Sequence, residues 1–112
     1  MRIAILINED TSYRCTGAGC MKAFMQRKDA FEGYSEDAEL IAFTHVGGDL
    51  DRKIERLISN EVDVVHLSSC LRAKYEDYEL LAKELSKHFK VVGYTHGKPQ
   101  GKTRNTVHLD KQ

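Results

Sequence analysis

Ile3-Ala4-Ile5-Leu6-Ile7 places apolar residues at consecutive positions, not alternate ones. A strand with water on one face alternates apolar and polar side chains; a strand covered on both faces need not. The run therefore predicts a strand inside a parallel sheet with helices on both sides. Three more apolar runs read as strands: Leu40–Phe43, Val62–Leu67 and Val91–Tyr94. Helical patterns separate them. Cys20–Phe31 carries Met21, Phe24, Met25 and Lys28 on one stripe, with its apolar members expected in the core. Leu50–Asn60 carries Leu50, Ile54, Leu57 and Ile58 behind Asp49 as an N-cap. Tyr75–His88 carries Tyr78, Leu81, Ala82 and Leu85, a stripe that Phe89 continues.

Strand–helix–strand alternation predicts an α/β fold. With right-handed crossovers and one reversal of winding, it gives a small flavodoxin-like three-layer sandwich. Its four-stranded, mostly parallel sheet has the order 2-1-3-4. The α/β domain is expected over residues 1–96. Residues 97–112 lack periodicity, hold the only proline, and read as a polar, mobile tail.

A chain of 112 residues fits one domain. Lys+Arg and Asp+Glu both number 17, and this zero balance argues against a nucleic-acid partner. No apolar run approaches the roughly 18–20 residues that cross a bilayer, so no membrane partner is expected. The start lacks a small-residue cleavage site, which argues against a secretory signal. Three cysteines, an odd count, suit reduced thiols and a cytoplasmic location. The sequence leaves the oligomeric state open.

In open parallel sheets ligands bind beyond the carboxyl ends of the strands, where the winding reverses. The loops expected there hold Cys15 and Cys20, then His45 and Asp49, then Ser68, Ser69 and Cys70, then Thr95 and His96. All three cysteines fall in these loops. Cys15 and Cys20 stand five apart, outside the commonest zinc-knuckle spacing, but Gly17 and Gly19 let the backbone between them fold back. Cys20, at a helix start, has the setting that favours thiolate. Plainer readings exist for each. Cys15 also reads as a loop residue, Cys20 and Cys70 as small core residues, and His45 and His96 as solvated strand ends. Glu9 and Asp10 read as a solvated loop, and His66, His88 and His108 as structural or solvent-facing. No GxGxxG or P-loop pattern is present, and no Cys-x5-Arg loop.

Five landmarks carry a family resemblance. They are the Met1–Ile5 start, the Cys15–Cys20 loop with Phe31-Glu32-Gly33-Tyr34, Phe43–Asp49, Leu67–Cys70 and Tyr94–Gly97. In order and spacing they resemble the CGGC-domain family, over roughly residues 1–97. The resemblance implies a metal-binding domain, zinc above all, with no established activity. It carries over Cys15, Cys20, Cys70 and His96. It sets Val46-Gly47-Gly48-Asp49 where the family has Cys-Gly-Gly-Cys, so Asp49 offers a carboxylate in place of a thiolate. His45 is an additional imidazole.

Three functions follow as expectations. The first is metal binding, zinc as the ion, by Cys15, Cys20 and Cys70 with His96 or His45. The second is a thiol redox or thiol-transfer enzyme with Cys20 as nucleophile and Cys15 or Cys70 as its partner. The third is a small-anion module using the Gly17–Cys20 amides, Gly19 included, with the Ser68, Ser69 and Thr95 hydroxyls. The partner is a metal ion or small molecule in each case.

Overall fold

The computed structural model describes all residues from Met1 to Gln112. The first strand, β1 (Arg2–Ile7), lies between β2 (Glu39–His45) and β3 (Val64–Leu67) and pairs with both in parallel. Next to β3 runs β4 (Lys90–Val92), also parallel. The expected order 2-1-3-4 is therefore present. A fifth strand, β5 (His108–Leu109), adds an antiparallel edge beside β4.

β1 shows why its apolar run is unbroken. Ala4 and Leu6 join one core with Val65, Leu67, Leu81 and Leu85. Ile3, Ile5 and Ile7 join a second core on the opposite face with Phe24 and Phe31. Ile3, Ala4, Ile5 and Leu6 have no solvent exposure. The pleat sends successive side chains to opposite faces, so a strand between two helical layers needs apolar residues throughout.

Five α-helices connect the strands. α1 (Glu9–Ser12) is a single turn after β1, and α2 (Ala18–Met25) covers the Phe24 face. α3 (Leu50–Ser59) and α5 (Tyr78–Ser86) cover the other face, and the short α4 (Ser69–Lys74) starts directly after β3. The Asp49 carboxylate caps α3 by accepting the Arg52 N–H at 3.1 Å. Tyr78, Leu81, Ala82 and Leu85 are buried as their spacing predicts. Ile58, expected on the α3 stripe, is instead 44% exposed. No helix is long and apolar enough to cross a membrane.

The first helical pattern differs from expectation. α2 stops at Met25, and Asp29–Phe31 forms a separate 3-10 turn. Arg27 and Asp29 adopt left-handed backbone angles between the two. The Arg27 guanidinium lies 4.3 Å from the Phe24 ring centre and donates to the Phe24, Ser35 and Ala38 carbonyls. The bond to Phe24 O gives one of the free carbonyls at the helix end a partner. The buried face of α2 is Cys20, Ala23 and Phe24, while Met21 and Met25 are 36% and 70% exposed. The methionines are thus not core residues.

Residues 97–112 are polar, yet they do not trail. Gly93 N–H donates to Val107 O at 2.8 Å. The Tyr78 hydroxyl donates to Gly93 O and accepts from Val107 N–H. Gln112 N–H donates to Ser86 O. These bonds fix the returning chain at the open edge of the sheet, where unpaired backbone groups need partners.

His66 is buried within β3 against the Phe31 ring, 4.2 Å between ring centres. Its Nδ1 donates to Tyr94 O at 3.0 Å, and its Nε2 accepts from the Tyr34 hydroxyl at 2.8 Å. That pair of bonds requires the neutral ring. Burial pushes the His66 pKa down to about 4, with small contributions from His108 and Lys90 and partial opposition from the Tyr94 carbonyl. Burial likewise raises the Tyr34 phenol to about 12, which keeps it a donor.

A lowered folded-state value means that the unfolded chain binds more protons between about pH 6.5 and pH 4. The His66 contribution is complete above pH 6.5 and is lost as pH falls towards 4. Denaturant unfolding at a series of pH values should show stability falling through that window by up to about 3 kcal/mol. His66→Gln should flatten this limb of the profile.

Candidate functional site

The carboxyl ends of the central strands open onto a cavity of about 230 Å³. Its lining includes Cys15, Cys20, Cys70 and His96, with Gly17, Gly19, Ile7 and Thr11. These side chains come from four separate parts of the chain. Cys15 follows α1, Cys20 lies in the first turn of α2, Cys70 in the first turn of α4, and His96 follows β4. A parallel sheet gathers them because all four strand ends point to one rim.

The turn before α2 sets the geometry on this side. Gly17 has φ +80 and caps the helix from the left-handed region, where a side chain is strained. A Cβ there would also stand 2.6 Å from the Phe43 ring. Gly19 has a different task. A Cβ on Gly19 would lie 3.0 Å from His96 Nε2, so its absence lets the imidazole sit against the helix backbone. The Cys15 sulfur accepts the Gly17 N–H at 3.3 Å and is otherwise exposed.

Cys20 is only 5% exposed and contacts Thr95 Oγ1 at 3.2 Å through its sulfur. Thr95 Oγ1 accepts the Ser69 N–H and lies 3.1 Å from His96 Nδ1. A hydroxyl has one proton. With a neutral His96 Nδ1 the Cys20 thiol donates to Thr95 and Thr95 donates to the ring; once the proton has passed, the chain reverses, with Nδ1–H donating to Thr95 and Thr95 donating to the Cys20 thiolate. Cys20 thus has a proton path to the imidazole through a buried threonine. The direct Cys20 Sγ–His96 Nδ1 separation is 3.9 Å. Burial raises the Cys20 thiol above its usual range; the Thr95 bond pulls it down, and Cys70 and Cys15 raise it further.

Cys70 Sγ lies 2.8 Å from Ser68 Oγ, and Ser68 caps α4 by accepting the Leu71 N–H. Ser69 Oγ donates to His96 O at 2.6 Å and accepts the N–H groups of Thr95 and His96. Both serines hold the rim together, with their hydroxyls bonded within the protein.

The other residues expected at the site stand apart. His45 Nδ1 accepts the Gly47 N–H at 3.0 Å, and the His45 carbonyl accepts from Lys53 Nζ. Asp49 caps α3. Neither lines the thiol cavity. The role of Thr95 as the link between Cys20 and His96 was not readable in the sequence. Its place beside His96 was the only signal.

Three thiols and an imidazole on one cavity are the donor types of a thiophilic metal site. Their positions do not form a ligand cage: no three His, Cys, Asp or Glu side chains are grouped to hold an ion. The CGGC domain family profile matches residues 2–96. No curated protein and no solved structure matches the chain.

Thr95→Val removes the bond that favours the Cys20 thiolate. With a hydrogen bond worth about 1 kcal/mol, alkylation of Cys20 at pH 8 should slow about fivefold. Mass spectrometry of the alkylated peptide measures it, and alkylation of exposed Cys15 supplies the internal standard.

Proposed function

The chain belongs to the CGGC domain family, and on that premise we propose that it takes up a thiophilic metal ion, zinc first, as a ligand. The observation that carries this reading is the shared cavity of Cys15, Cys20, Cys70 and His96. Soft sulfur and imidazole donors select zinc over hard cations. The two apolar cores already hold the sheet between its helices, so the ion is not needed as a folding staple. The donors do not stand as a finished cage, so uptake requires the rim to adjust. Cys15 is the exposed donor, on the loop that has to adjust. Cys20 and Cys70 lie in the first turns of two different helices. The proton that Cys20 loses has a route through Thr95 to His96.

A second reading rests on that same Cys20–Thr95–His96 chain. In it Cys20 is a nucleophile in thiol–disulfide exchange, with Cys15 or Cys70 as resolving partner. Two protein thiols would be oxidised to one disulfide while an external disulfide is reduced to two thiols. Neither reading assigns His45 or Asp49 a part.

Reduced protein prepared without chelator should take up about one equivalent of zinc. Cys20→Ser and Cys70→Ser should each lower affinity at least about tenfold in competition with a chromophoric chelator. Uptake below about a tenth of an equivalent after full reduction would reject the metal reading. Glutathione disulfide should then be tried: reversible loss of two free thiols supports the second reading, and three thiols that react slowly and alike reject it.

A further inference from the structure

Arg72 presents a charge that the thiol site does not use. It lies in α4, two residues after Cys70, and is only 8% exposed. Buried guanidinium groups normally face a carboxylate. Here Nη1 donates to the carbonyls of Lys98 and Pro99 and to Thr106 Oγ1 at 2.7 Å. The Tyr94 ring lies 5.5 Å from the guanidinium carbon. The chain has two ion pairs, Arg2–Glu39 and Glu84–Lys87, and Arg72 is in neither.

Arg72 lines a cavity of about 350 Å³ formed by α4 and the loop that follows residue 97. Nε and Nη2 have no protein partner, and no unpartnered side-chain nitrogen is sealed from solvent. Those two N–H groups form the parallel fork that fits two oxygens of one oxyanion. A Cβ on Gly101 would lie 2.5 Å from Arg104 O and 2.8 Å from Arg72 Nε, so only glycine lets the loop pack this closely beside the guanidinium. Lys98, Lys102 and Arg104 line the same cavity, and none of its lining residues is acidic. Arg104 Nη1 donates to the Arg72 carbonyl at 2.8 Å, which ties the loop to α4. In a chain with equal numbers of cationic and anionic residues, four cations around one opening is a local asymmetry.

We propose that this cavity binds a multiply charged phosphate-type anion, the phosphate chain of a small molecule, with Arg72 as the fork and Lys98, Lys102 and Arg104 as surrounding charge. A single chloride would leave most of this charge unmatched, whereas two linked phosphates carry several anionic oxygens. Both cavities depend on the same segments. α4 supplies Cys70 to one and Arg72 to the other, and the chain after β4 supplies His96 and then Lys98. The anion site makes no use of the cysteines, so it stands or falls independently of the metal reading.

The test is titration calorimetry with metal-free inorganic pyrophosphate on the full chain at low salt. Saturable binding is expected, weakening as salt rises. Lys98→Gln/Lys102→Gln should lose about tenfold in affinity while its unliganded melting temperature stays unchanged, because neither lysine side chain bonds to the protein. Arg72→Lys should lose more, and Cys20→Ser should bind like the parent. ADP is run beside pyrophosphate to separate the two sources of the phosphate chain. Equal affinity shows that the chain alone is read, tighter ADP shows that the nucleoside adds contacts, and both support the site. No saturable binding of either up to about 1 mM overturns the proposal, an affinity of roughly 4 kcal/mol being too weak for a built site. Unchanged binding by the double lysine variant overturns it too, as does binding of a single-stranded oligonucleotide without pyrophosphate.

Discussion

Burial of β1 on both faces is the constraint from which the rest of the molecule follows. Ile3, Ile5 and Ile7 require one helical cover, and Ala4 and Leu6 require another. Helical covers on both sides allow the neighbours of β1 to run parallel, since each return path is a helix crossing one face. Parallel strands then end together. A rim of loops at one edge of the sheet is therefore a consequence of apolar burial, before any ligand is considered.

At that rim two demands oppose each other. Burial disfavours a charged sulfur, and it raises the Cys20 thiol. The first turn of a helix and a hydroxyl bridge favour the charged form. Thr95 reconciles them by contacting Cys20 and His96 together. Gly19 contributes by what it lacks, since the His96 ring occupies the space of its missing side chain. The serines that cap and brace α4 hold the other half of the rim and leave Cys70 at the cavity.

The segment after residue 97 shows how a stretch without periodicity still acquires a definite place. It holds too little apolar surface to form a core. Its position depends on hydrogen bonds to the β4 edge, to the Tyr78 hydroxyl and to Arg72. Arg72 in turn is held in the interior by carbonyls, not by an acid. The Arg72 bonds link residues 26 to 34 positions apart, a distance over which no local pattern is visible. The basic cavity exists only because this loop folds back over α4.

The order of the first four strands and the gathering of the cysteines at one rim were legible in the sequence. Consecutive apolar residues, helical spacing and the handedness of crossovers act locally, and together they leave few arrangements. The α2 face was not legible. The Met21–Met25 stripe looks as apolar as the one that is buried, and the left-handed Gly17 together with the close fit of Cys20 and Ala23 decided between them. The Asp49 cap of α3 was legible, but the sequence could not say that His45 turns to a backbone bond while His96 turns to Cys20. Loop membership follows from pattern, but the direction of a side chain depends on backbone angles and on neighbours distant in sequence. Those are settled only when the sheet, its two helical layers and the returning C-terminal segment pack against one another.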